Sequence, residues 1–173
     1  TVLPVMKGVL LMRKIILSVA ALCTSVMLAA CQSSSNPSGK IGSYLGLDLS
    51  GSTVISKVET HGFFGDGTTY DVINLDDDNV LQQIQNSSDW NPLPMDETTT
   101  ALVYGLSDDS YQIGPYLNDN SGNPLFPEVE NGYYRLIDRQ NDAQDILERP
   151  SFNFIVAVFD SDENILYYGK RDT

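Results

Sequence analysis

Phe152-Asn153-Phe154-Ile155-Val156-Ala157-Val158-Phe159 is followed by Asp160-Ser161-Asp162-Glu163-Asn164 and then by Ile165-Leu166-Tyr167-Tyr168. The first run is apolar almost without a break and rich in aromatic and β-branched residues, as expected of a strand buried on both faces and central to its sheet. The polar residues after it are too few for a crossover, so they predict a hairpin into the next strand. Upstream, Tyr133-Tyr134-Arg135-Leu136-Ile137 has the same strand character, and the polar segment from Gln140 to Pro150 links it to the central run. Short connections of this kind predict an antiparallel meander.

Working toward the N-terminus, Thr53 to Thr60 (TVISKVET) and Thr68 to Leu75 (TTYDVINL) read as two further strands. Between them lies His61-Gly62-Phe63-Phe64-Gly65-Asp66-Gly67, with three glycines and an Asp-Gly pair suited to a hairpin turn. Asp76-Asp77-Asp78-Asn79 precedes the apolar stripe Val80, Leu81, Ile84 and predicts a helix from about Asp77 to Asn86, with the acids capping its start. Trp90 precedes Pro92 and Pro94 and is expected to plug the core under the helix end. Asp96 to Tyr104 reads as a second short helix, although Thr98-Thr99-Thr100 suits a strand equally. Tyr44 to Leu49 is expected to be a short first strand, and Gly105 to Asn131, with Pro115, Pro124 and Pro127, a long irregular loop. The fold class expected is α+β: an antiparallel meander sheet with one main helix and a second short one.

The residues before this domain have another character. Ile15 to Ala30 is an apolar run broken only by Ser18, Thr24 and Ser25, and it follows the basic pair Arg13-Lys14. That is the order of a secretory signal peptide, and sixteen residues fall short of the roughly twenty a membrane-spanning helix needs. The run ends in Leu28-Ala29-Ala30-Cys31, which resembles the lipobox of bacterial lipoproteins. The resemblance implies lipid attachment to Cys31, cleavage just before it, and a membrane location facing outside the cytoplasm. Two or more acyl chains hold such an anchor firmly, since each buried methylene contributes about 0.8 kcal/mol. The expected organisation is therefore residues 1–11 as an upstream extension before Met12, 12–30 as the signal, 31–40 as a flexible Ser-, Asn-, Pro- and Gly-rich tether, and 41–173 as a single globular domain.

Composition limits the chemistry. From Cys31 onward, seven basic residues stand against 23 acidic ones, a formal charge of −16. Such a balance repels phosphate backbones and argues against nucleic acid as a partner. Cys23 lies in the signal and Cys31 is its terminus, so residues 32–173 hold no thiol, disulfide or cysteine-based metal site. With His61 as the only histidine, a zinc site or a serine hydrolase is not expected. The glycines of the 61–67 stretch run opposite to the dinucleotide order and lead into a strand, which argues against nucleotide binding. Asp160-x-Asp162-x-Asn164 begins like a calcium loop, but Ile165 and Arg171 occupy positions that need Gly and Glu. The carboxylates of 76–78, or Asp108-Asp109, could bind calcium in another geometry, although capping and solvation explain them; no metal or cofactor is expected.

The pattern His61-Gly62-x-Phe64-Gly65-Asp66-Gly67-Thr68, with Trp90 before its Pro-rich turn, Asn131-Gly132-Tyr133-Tyr134, Asp138-Arg139 and Ser151-Phe152-Asn153-Phe154, resembles a group of small uncharacterised bacterial proteins. That resemblance implies one domain from about Ile41 to Thr173 and carries no catalytic or binding residue. The expected function is a non-catalytic binding or interaction domain, partnered by the membrane through Cys31 and by a protein or envelope component. A hydrolase using carboxylates or His61, and a structural envelope protein, are the alternatives. His61, Phe63, Phe64 and Asp66 are the candidate binding residues, because a hairpin tip with three glycines and adjacent aromatics has more than a turn requires; the plainer and favoured alternative folds both rings back under the sheet and leaves the glycines only to let the chain pass closely.

Overall fold

The computed structural model describes residues 37–63, 65–76, 78–107, 111–140 and 144–173. Its elements are helix α1 (Pro37–Leu45), strands β1 (Thr53–Glu59) and β2 (Gly67–Asn74), helix α2 (Asn79–Gln85), strand β3 (Asn91–Pro92), helix α3 (Glu97–Tyr104), strands β4 (Leu106–Ser107), β5 (Gln112–Ile113) and β6 (Gly132–Asp138), a 3-10 turn (Ile146–Glu148), and strands β7 (Phe154–Asp160) and β8 (Ile165–Asp172). Six strands form one antiparallel sheet in the order β1-β2-β8-β7-β6-β3, and β4 pairs with β5 apart from it. The fold is α+β, with β6, β7 and β8 as the expected meander.

Strand β7 sits inside the sheet, and all its residues but Asp160 are buried. Its alternate side chains feed two cores. Ile155, Ala157 and Phe159 join Ile73, Leu166 and Tyr168 under α1 and α2, with Trp90 packed among them as expected. Phe154, Val156 and Val158 face the other way, where they meet Leu102 and Val103 of α3 together with Leu117, Phe126 and Phe152. The segment expected as a long irregular loop over 105–131 is partly a cover for the second core: Leu117 and Phe126 are buried, and the Phe126 ring stacks edge-on to Tyr70 at 5.2 Å.

Helix α3 starts as expected: Asp96 accepts the Thr99 amide at 2.6 Å, and the Tyr134 hydroxyl donates to its other oxygen at 3.2 Å. Helix α2 is also where it was expected. The acid at its start does not do the expected work, however, because the Asp78 side chain makes no capping bond to the helix. Asp77 lies outside the described residues.

Two expectations near the N-terminal end are corrected. Residues 37–40, expected as tether, form the first turn of α1, and Ser38 is buried there. Tyr44 to Leu49, expected as a strand, instead ends that helix. Proline suits the first helical position, and Ile41 and Leu45 sit one turn apart on the face that enters the core. Gly46 takes φ +64°, and the Leu47 amide donates back to the Gly42 carbonyl at 2.9 Å, the bond pattern of a glycine-terminated helix. Gly42 itself is required, since a Cβ there would stand 2.4 Å from the Leu47 carbonyl oxygen. The glycines that weaken a strand reading are thus the residues that let α1 end and pack.

The Asp160 to Asn164 turn needs no ion to explain its acids. Asp160 accepts the amides of Asp162 at 2.9 Å and Glu163 at 3.1 Å, and Asn164 adopts φ 54°.

Candidate functional site

A groove of about 340 Å³ lies between α1 and the outer half of the sheet. Its floor is a polar continuation of the face that, further in, carries the core under α1. Strand register builds it row by row. Lys57 of β1 opposes Asp71 of β2, which opposes Tyr168 of β8; one row outward, Glu59 opposes Thr69, and Thr69 opposes Lys170. Beyond these, Gly67 opposes Asp172, and His61 closes the end. The wall is the stripe Pro37, Lys40, Ile41 and Tyr44 of α1, spaced so that all four lie on one helix face.

An irregularity in β1 brings Lys57 and Glu59 to this face. The β1–β2 register slips between Val54 and Ser56, which makes Ile55 an extra, exposed residue. Val54 therefore packs toward α1 and α2 while Val58 packs on the opposite core. Strict alternation from Val54 would have sent Lys57 and Glu59 the other way.

Most charges in the groove are paired. Lys57 meets Glu59 at 3.2 Å, and the Asp172 carboxylate is held by Lys170 and Arg139. Burial pushes the Asp172 pKa up, but those two cations outweigh it and hold the carboxyl below the usual range. Asp71 differs: it is 2 % exposed, and its Oδ1 is buried without a hydrogen-bond partner. Desolvation raises its pKa, Lys57 opposes the rise and Glu59 adds to it. Tyr168, buried beside it, is pushed well above the ordinary tyrosine range by burial and by Tyr44, so its hydroxyl stays neutral.

His61 lines the groove, and the carboxylates its ring meets are those of Asp172 and Glu59. Nε2 stands 3.5 Å from Asp172 and Nδ1 3.7 Å from Glu59, and Nδ1 is buried without a hydrogen bond. The ring thus ties the end of β1 to the end of β8. Phe63 and Asp66 are exposed, Phe63 at 98 %, and neither belongs to the groove lining. Asp66 contributes through its backbone, whose carbonyl accepts the Gly62 amide at 2.8 Å. Phe64 and Cys31 lie outside the described residues, as do Asp108 and Asp109. Among the described residues no group of three or more His, Cys, Asp or Glu side chains is placed to hold a metal ion.

The three glycines of the turn have separate duties. A Cβ on Gly67 would stand 2.5 Å from the His61 Cα, so only glycine lets β2 begin there. Gly65 adopts φ +89° in open space, and Gly62 would meet nothing closer than 3.8 Å.

Sequence reading missed Lys40, Lys57, Asp71, Tyr168, Lys170 and Asp172. One signal was available: Asp71 interrupts the apolar strand Tyr70-Asp71-Val72-Ile73, where a charge has no solvent-facing reason to stand. Lys40, Lys57 and Lys170 are the only lysines after Cys31, and all three line the groove, which their places in the sequence do not announce. No protein-family model, curated protein or solved structure matches the chain.

Proposed function

We propose that this chain is a lipid-anchored, extracytoplasmic binding protein whose ligand site is the groove between α1 and strands β1, β2 and β8. The anchor rests on the signal-like run 15–30 and on Cys31, and the balance of seven basic against 23 acidic residues beyond it disfavours nucleic acid. The observation that carries the binding reading is Asp71. An unsatisfied buried polar group costs about 1–3 kcal/mol, and among the described residues Asp71 is the one carboxylate with such an atom, placed on the floor of a groove. A ligand that completes its hydrogen bonds removes that cost.

A hydrolase using His61 ranks lower. A general base needs one ring nitrogen held and the other presented to substrate. Here a carboxylate faces each nitrogen within 4 Å, and Nδ1 is buried.

Thermal melts of the full chain with small-molecule fractions of bacterial envelopes test the reading. A fraction holding the ligand raises the melting temperature of the wild type and leaves Thr69→Trp, whose indole fills the groove, unmoved. Equal shifts in both proteins, or none in either, would reject the groove as a binding site.

A further inference from the structure

Besides His61, whose Nδ1 is buried without a hydrogen bond although Glu59 stands 3.7 Å away, the pairings inside the groove leave two groups over. Lys57 is matched by Glu59, and Lys170 and Arg139 by Asp172. Lys40, exposed on α1, has no carboxylate within ion-pair distance among the described residues, and Asp71 keeps a buried oxygen without a partner. The complement of this remainder is a molecule with one anionic group for Lys40 and one hydrogen-bond-donating group for Asp71.

Charge decides the rest. In the lining Glu59, Asp71 and Asp172 are balanced by Lys40, Lys57 and Lys170, which suits a net-neutral ligand, while the acidic balance of the chain around it, seven basic against 23 acidic residues from Cys31 onward, repels a net anion on approach. An ammonium is the donor that gains most from a desolvated carboxylate, and Tyr44, half-exposed on the wall, adds an aromatic surface of the kind that attracts ammonium groups. Pro37 and Ile41 offer apolar contact for the methylenes between the two charges. A volume of about 340 Å³ admits a single small molecule or one headgroup.

We infer that the groove binds a small zwitterion, its anionic group at Lys40 and its primary ammonium at Asp71. This rests on reading the groove as a ligand site. Two sources share the chemistry: the phosphoethanolamine headgroup of a lipid and a free α-amino acid.

Titration calorimetry of the full chain with four probes separates them: glycerophosphoethanolamine, glycine, glycerol 3-phosphate and ethanolamine. At least one of the two zwitterions should bind, with glycerol 3-phosphate, which carries negative charge alone, and ethanolamine, which carries positive charge alone, weaker by about tenfold or more, as expected where one charge-assisted hydrogen bond is lost. Tighter binding of glycerophosphoethanolamine assigns the lipid headgroup, and tighter binding of glycine the amino acid. Lys40→Met, on an exposed helix position, and Asp71→Asn, which keeps the side-chain shape, should each weaken the zwitterion by about tenfold. Glycerol 3-phosphate binding as tightly as either zwitterion, or an unchanged affinity in Lys40→Met, overturns the inference. If none of the four binds while a Thr69→Trp-sensitive ligand is found in envelope fractions, the zwitterion class is wrong and the groove remains a binding site. If that ligand is absent as well, both readings fall.

Discussion

Arg135 of β6 donates from Nη1 to the Leu45 carbonyl at 2.7 Å and, from Nη2, meets Asp89 at 2.6 Å. The first bond places a cation on the C-terminal end of α1, where helix carbonyls lack partners, and so fixes the helix that walls the groove to a strand 90 residues away. Arg135→Met should lower stability by about 1–3 kcal/mol, nearly all from the Leu45 bond because Asp89 is exposed. Hydrogen exchange should quicken in α1 more than in β7. Equal acceleration in both would mean that Arg135 acts on the whole fold and not on the wall.

Asp71 gives the stability of the domain an identifiable pH dependence. Its folded pKa is raised by burial, so its contribution is complete below 3.8, the ordinary aspartate value, and is lost as pH climbs through the folded value. Asp71→Asn cannot ionise, and its advantage over the wild type should grow with pH from 3.8 upward. Asp138, lowered by its hydrogen bonds from Arg149, and Asp172, lowered by Lys170 and Arg139 against the effect of burial, have the opposite sign: their contribution is present above 3.8 and fades in acid. Melts of both proteins from about pH 3 to pH 8 read the difference. Parallel curves would show that Asp71 is solvated.

The turn glycines should respond unequally. Gly67→Ala drives a methyl into the backbone of His61 and Thr60, so it should destabilise the hairpin and displace His61 from the groove. Gly62→Ala meets no close atom and should stay within about 0.5 kcal/mol of the wild type. Denaturant titration of the pair decides this, and similar losses in both would refute the close-approach argument.

Phe154 lies at the start of the buried strand and is fully inaccessible to solvent. Phe154→Ala should cost about 3–5 kcal/mol in chemical denaturation. Because residues 32–173 contain no cysteine, unfolding of this domain should be unaffected by reductant. A near-neutral Phe154→Ala would contradict the core described for that face of the sheet.

Cys31→Ser tests the anchor. With no other sulfur suitably placed for the lipid, the variant should leave the membrane fraction or accumulate as an uncleaved precursor. A processed, unacylated Cys31→Ser protein that still sediments with membranes would remove the lipoprotein reading.

Local chemistry made the framework legible. The apolar run through Phe154 to Phe159 read as a central strand and Asp160 to Asn164 as a hairpin turn, because composition and alternation over a few residues decide such elements. Asp96 pointed to α3, but the Thr98-Thr99-Thr100 run suited a strand equally, and the choice fell to the Asp96–Thr99 cap and the packing of Leu102 and Val103. Helix α1 escaped notice because its glycines, read one by one, argue against regular structure; Gly42 and Gly46 become assets only when Leu47 folds back over the helix end.

The groove could not be foreseen from any stretch of sequence. Lys57, Asp71 and Tyr168 meet because three strands pair in one register, and Lys57 faces the right way because Ile55 is an extra residue in β1. Periodicity states which residues share a face of their own strand, but not which strand lies alongside, where a bulge reverses the alternation, or what helix covers the result. Those depend on contacts between residues far apart in the chain, and they place a buried aspartate and every lysine of the domain around one cleft.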